Sequence, residues 1–173
     1  VLGVLPTVYR QAGFSAAATG LLTALVAAVN IGGNVMAGRL QHRGWAPPRL
    51  LLTGFVTMGL AALLTFAELG QPAWLRYLAV LAFSGVGGVI PGTLFSLVVR
   101  LAPGEHTMSS TVGWMQQGSA FGQFAGPPVV AWIAGMAGGW QYTGLATASS
   151  ALLGLGLTHA IARQLARHGA RPG

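Results

Sequence analysis

The stretch AAATGLLTALVAAVNIGGNVMAGRLQHRGWAPPRLLL, Ala16 to Leu52, decides the fold. From Ala16 to Ala37 it carries no charge, and then Arg39, His42, Arg43 and Arg49 follow within a few turns of chain. At 1.5 Å of rise per residue, a helix over the uncharged part is about 33 Å long, enough to cross a hydrocarbon core of about 30 Å. A second apolar run opens at Leu50. The pattern is that of two membrane-crossing helices joined by a short basic connection.

Composition carries the same message along the whole chain. Of 173 residues, 53% are hydrophobic and 6% charged, whereas a soluble domain carries about 25% charged residues. Too few polar side chains exist to cover these helices in water, which excludes a soluble all-α bundle. The net charge of +7 reflects nine arginines set against two glutamates, with no lysine and no long basic run. The excess is a shortage of acids, not a nucleic-acid-binding patch, and no nucleic-acid partner is expected. Cysteine is absent, so disulfide and thiolate chemistry are excluded. His42, His106 and His168 fall in connecting or terminal segments without the paired spacing of a metal site, and no cofactor is expected.

Five apolar stretches are long enough to span, at about 16–37, 50–67, 77–99, 109–134 and 143–162. The fold expected is an all-α polytopic membrane helix bundle of five complete spans plus the end of a sixth. That sixth is VLGVLPTV at 1–8, too short to cross and without the basic n-region of a signal peptide, so the chain is expected to begin inside a larger protein. Residues 163–173 are left as a tail. Alternate threading puts Arg39, Arg43, Arg49, Arg100, Arg163, Arg167 and Arg171 on one side and Arg10 and Arg76 on the other. The positive-inside rule then makes the carboxyl terminus cytoplasmic. The lysine-free, alanine-heavy composition suggests a bacterial inner membrane.

Glycine and proline indicate how the spans pack. In GWMQQGSAFGQFAGPPVVAWIAG, Gly118, Gly122 and Gly126 recur every four residues and offer a bare ridge to a neighbouring helix. The ridge ends at Pro127 and Pro128, which cannot donate to the carbonyls of Gln123 and Phe124, so a kink is expected there. SGVGGVIPGTLF repeats the device with Gly88, Pro91 and Gly92.

The polar side chains within the spans fall into two groups. Thr23, Asn30 and Asn34 share one face of the first complete span; Gln116, Ser119 and Gln123 share one face of the fourth. Amides in hydrocarbon need partners, so these faces are expected to look into protein or a watery cavity, as the lining of a solute path or as interhelical hydrogen bonds. No acid lies at mid-membrane: Glu68 ends the second span, and Glu105 lies in the connection before the fourth.

The run Gly33-Asn-Val-Met-Ala-Gly38-Arg39-Leu40-Gln-His42-Arg43-Gly44, followed by Arg49, resembles the cytoplasmic loop motif of the major facilitator superfamily. Gly38, Leu40 and Arg43 take motif positions. His42 stands where that family has an acid, Gly44 comes one residue early, and Pro47-Pro48 interrupt the basics. Gly122 to Pro128 is similar to the family's penultimate helix. The resemblance implies the carboxyl-terminal six-helix half of a twelve-helix transporter that moves a small solute by alternating access, with the amino-terminal half of the same protein and the lipid bilayer as partners. The five complete spans would be helices eight to twelve, with the eighth, tenth and eleventh lining the cavity. A loop with Gly38, Arg39, His42 and Arg43 would act as a cytoplasmic gate. Since an imidazole gains nothing from a positive helix end, Arg43 is expected to pair instead with Glu105, ahead of Ser109, Ser110 and Thr111 as caps of the fourth span.

An enzyme is not expected. The one alternative is a rhomboid-like intramembrane serine protease, faintly suggested by Ala82-Phe-Ser84-Gly85 with His159 on a later helix.

Overall fold

The computed structural model describes residues 15–66, 72–102, 104–137 and 141–169. The short helix expected at 1–8, Arg10, Glu68 and Arg171 lie outside them. The described residues form five long helices: α1 (Ala16–His42), α2 (Pro47–Phe66), α3 (Ala73–Leu101), α4 (Met108–Ala137) and α5 (Gln141–Gly169), with a 3-10 turn at Glu105–Thr107 before α4. No strand occurs among them. The all-α bundle expected from the sequence is the fold.

Four of the five, α1, α2, α3 and α5, are long and apolar enough to cross a membrane. Helix α4, at 30 residues, has ample length, but Gln116, Gln117, Gln123 and the two prolines dilute its apolar run. By length and composition alone, four of the five described helices qualify as spans, and α4 falls short through its polar residues.

The helix ends follow local chemistry more than hydropathy. Ser15 caps α1, its Oγ accepting from the Ala18 N–H at 3.2 Å. At the other end α1 runs past Ala37 to His42 and closes with two backbone bonds, Gly44 N–H to the Gln41 carbonyl at 2.9 Å and Trp45 N–H to the Leu40 carbonyl at 3.0 Å. That Schellman closure needs a left-handed residue, supplied by Gly44 at φ 87°. Pro47 and Pro48 then open α2 in its first turn, where a missing N–H costs no hydrogen bond. Helix α5 likewise continues to Gly169, so Arg163 and Arg167 stand on a helix instead of in a tail.

Contacts between helices set their directions. Tyr77, Ser84 and Ser96 of α3 meet Leu22, Val26 and Gln41 of α1 in the same chain order, so α1 and α3 are parallel. Helix α2 runs antiparallel to α3, with Gly54 against Ile90 and Met58 against Gly87. It is antiparallel to α5 too, with Gly59 against Ala151 and Gly144 against Ala62. The packing order is thus α1, α3, α2, α5. Between α2, α3 and α5 lies a core of Leu51, Ile90 and Leu97, onto which Phe55, Met58, Leu94, Ile161 and Leu165 pack. Helix α4 packs against α5 and α3 far less extensively than the other helices pack on one another.

These directions bring Arg39, Arg43, Arg49, Arg163 and Arg167 to one end of the bundle and Arg76 to the other. Many large apolar side chains remain exposed, among them Leu21, Ile31, Leu60, Leu152 and Leu153. In lipid such a surface is the solvated one.

Candidate functional site

The most developed polar structure is a seam along the parallel pair α1 and α3. Ser84 is 1% exposed, and its hydroxyl donates to the Val26 carbonyl at 2.7 Å. Asn30 Nδ2 donates back to the Ser84 carbonyl at 2.8 Å. Towards one end the Tyr77 hydroxyl donates to the Leu22 carbonyl at 3.2 Å; towards the other, the Ser96 hydroxyl donates to Gln41 Oε1. Side chains of each helix therefore bond to the other at three heights.

Glycine makes this proximity possible. A methyl group at Gly33 would run into the Gly85 carbonyl, and one at Gly88 into the Asn30 carbonyl. At Gly92 it would lie 2.6 Å from Asn34 Oδ1 and 2.9 Å from the Ala37 Cβ. With no gain from expelling water between helices in lipid, such backbone approach and the hydrogen bonds it permits are what hold a helix pair together. The spacing of Gly88 and Gly92 marks this bare ridge on α3, which meets Asn30, Asn34 and Ala37 of α1; the approach of Gly33 to Gly85 is not visible in that spacing.

Gly118, Gly122 and Gly126 show the opposite. A methyl group at any of them would meet no atom within 4 Å. The ridge expected to receive a neighbour faces no described helix of this chain. Pro91 in α3 and Pro127 and Pro128 in α4 are accommodated without a break, both helices continuing through them.

The six polar residues singled out in the sequence divide in the same way. On α1, the Thr23 hydroxyl is spent within its helix on the Thr19 carbonyl at 2.7 Å, and Asn30 is committed to the seam. Asn34, one turn on, is exposed. On α4, Gln116, Ser119 and Gln123 are all exposed, and Gln123 Nε2 donates to Ser119 Oγ at 3.1 Å. No hydrogen bond joins the α1 set to the α4 set among the described residues.

At the arginine-bearing end, Gly38, Arg39 and His42 belong to the last turns of α1, so they form a helix end and not a loop. Arg43 is the C-cap, its N–H on the Arg39 carbonyl at 3.1 Å. All four are exposed. The basic residues suit the negative end of the helix dipole. The Glu105 side chain lies outside the described residues, and with it the Arg43–Glu105 pair. Ser109, Ser110 and Thr111 are inside the first turn of α4 and do not cap it; the Thr111 hydroxyl donates to the Thr107 carbonyl at 2.8 Å.

The residues of the protease alternative are not assembled. The Ser84 hydroxyl is buried and bound to Val26. Reading levels through α2, Gly87 faces Met58, and Gly59 faces Ala151. His159 is thus displaced by about 15 Å of helix rise from the level of Ser84, and its side chain is exposed.

Long apolar helices threaded in alternating directions, with arginines gathered at one end and amides on two faces, define a polytopic integral membrane protein. The chain matches the family model of the Major Facilitator Superfamily over residues 1–171 and belongs to that superfamily, whose members are transmembrane transporters. No curated protein and no solved structure matches it. The likeness seen in the Gly33–Arg49 motif is thereby borne out, and with it a lipid bilayer and a small solute as the partners of the fold.

Proposed function

We propose that this chain acts as the carboxyl-terminal half of a secondary transporter that carries a small solute by alternating access, the arginine-bearing end facing the cytoplasm of a bacterial cell. The observation that supports this reading best is the exposed amide face of α4. Gln116, Ser119 and Gln123 sit near the middle of a 30-residue helix and bond to no other helix among the described residues. Uncompensated amides facing lipid are costly, so this face borders water or a polar solute. The carbonyls of Gln123 and Phe124, freed by Pro127 and Pro128, add acceptors beside it.

On α1 the path is represented chiefly by Asn34, with Asn30 beside it holding the α1–α3 seam in place and Thr23 bonded within its own helix. An amino-terminal half of the same protein would close the cavity from the other side and rock against the α1–α3 and α2–α5 pairs. Arg39, Arg43 and Arg49 set the orientation by the positive-inside rule, and Arg43 with Glu105 is the proposed latch at that end. Neutral amides without a mid-membrane charge suit a neutral or amphipathic solute.

Solute uptake by the full transporter with Asn34→Ala and Gln123→Ala tests the path. Each is expected to raise KM or lower the rate by about tenfold, the value of one lost hydrogen bond to solute. Unchanged affinity and rate in both would remove these faces from the path.

A further inference from the structure

The outer side of α5 carries a feature that the transport reading does not use. Thr143, Gly144, Ala151, Gly154 and Thr158 are buried, and Ile161 and Leu165 pack on the core, which defines the inward face of this helix. At about 100° per residue, His159, Arg163 and Arg167 fall on the opposite side, at i, i+4 and i+8. All three are exposed. They form a ladder about 12 Å tall. Above it on the same side of the helix, further into the membrane, Leu152 and Leu145 are exposed as well, with Leu153 on the flank. No acid occurs anywhere in α5.

We infer that this ladder is a binding site for an anionic phospholipid of the surrounding leaflet. The guanidinium groups of Arg163 and Arg167 would hold the phosphate oxygens, for which their planar forks are suited. The His159 imidazole, one turn deeper, offers an N–H at the level of the glycerol esters. The acyl chains lie against the exposed leucines. Continuity of the cations with an apolar face is what selects a lipid over a free anion: inorganic phosphate could use the arginines but nothing above them. Arg39 and Arg49 lie at the same end and also stand below exposed apolar side chains, Ile31 and Val35 on α1 and Leu52 and Val56 on α2, but on separate helices and without the third rung that His159 supplies on α5, and they serve as the internal comparison.

The test is native mass spectrometry of the chain released from nanodiscs of equal phosphatidylglycerol and phosphatidylcholine. Wild type is expected to retain phosphatidylglycerol over phosphatidylcholine by about tenfold, and R163Q/R167Q to fall to near parity. R39Q/R49Q keeps the preference, and excess inorganic phosphate does not displace the lipid. If the paired substitution impairs folding, R163Q and R167Q separately decide, each lowering the preference severalfold. Equal retention of both lipids by wild type would overturn the site, as would an unchanged preference in the α5 variants. Equal loss in R39Q/R49Q would show a diffuse charge effect, and displacement by phosphate a free-anion site; either result rejects the inference.

Discussion

At the scale of single residues, the seam between α1 and α3 turns on a few atoms. Ser84→Ala removes one donor to the Val26 carbonyl and is expected to destabilise the bundle by about 1 kcal/mol, within the range for interhelical hydrogen bonds in membranes. Gly88→Ala should do more, about 1–3 kcal/mol, because the new methyl meets backbone that cannot step aside. Gly118→Ala has open space around it; it should be neutral or stabilising by up to about 1 kcal/mol from helix propensity. Unfolding of the three variants by SDS in mixed micelles reads the differences directly, and an equal cost at Gly88 and Gly118 would refute the packing described. Gly44→Ala belongs to the same scale: a side chain at φ 87° costs about 1–2 kcal/mol, seen as fraying of the α1 end.

At the scale of elements, α1 and α3 behave as one unit and α2 with α5 as another, joined through the Leu51 core, while α4 is the least packed of the described helices. Backbone amides in the middle of α4 should therefore exchange with deuterium well before those around Ser84 and Val26 in detergent micelles; the reverse order would mean α4 is the anchored helix. The apolar runs located every helix but not its ends. Hydropathy marks where lipid stops, whereas a helix continues as long as arginine and glutamine stems can reach the interface, as at Gly38–His42 and Arg163–Arg167. Glycine spacing was equally legible in α3 and α4, yet only Gly88 and Gly92 meet a described neighbour, since spacing shows a ridge and tertiary contact chooses its partner. Asn30 and Asn34 share a face by helical period and both lie against α3, but only Asn30 hydrogen-bonds across the seam, while Asn34, beside Gly92, stays exposed. That division could not be seen without knowing that Ser84 lies opposite.

At the scale of the whole molecule, two claims separate cleanly. The first is sidedness: because the chain has no cysteine, single substitutions report without background. Arg167→Cys and Arg39→Cys should be labelled from one side of a sealed vesicle and Pro72→Cys, at the start of α3, from the other; labelling of all three from one side would contradict the threading. The second, on which the transport reading rests, is that the exposed face of α4 meets water and the exposed face of α5 meets lipid. Reaction of a water-soluble, membrane-impermeant thiol reagent with Gln123→Cys and with Leu152→Cys in membranes is the most direct measurement. The account predicts that Gln123→Cys reacts and Leu152→Cys does not, although both lie near the middle of their helices; a Gln123→Cys variant as inert as Leu152→Cys would contradict it.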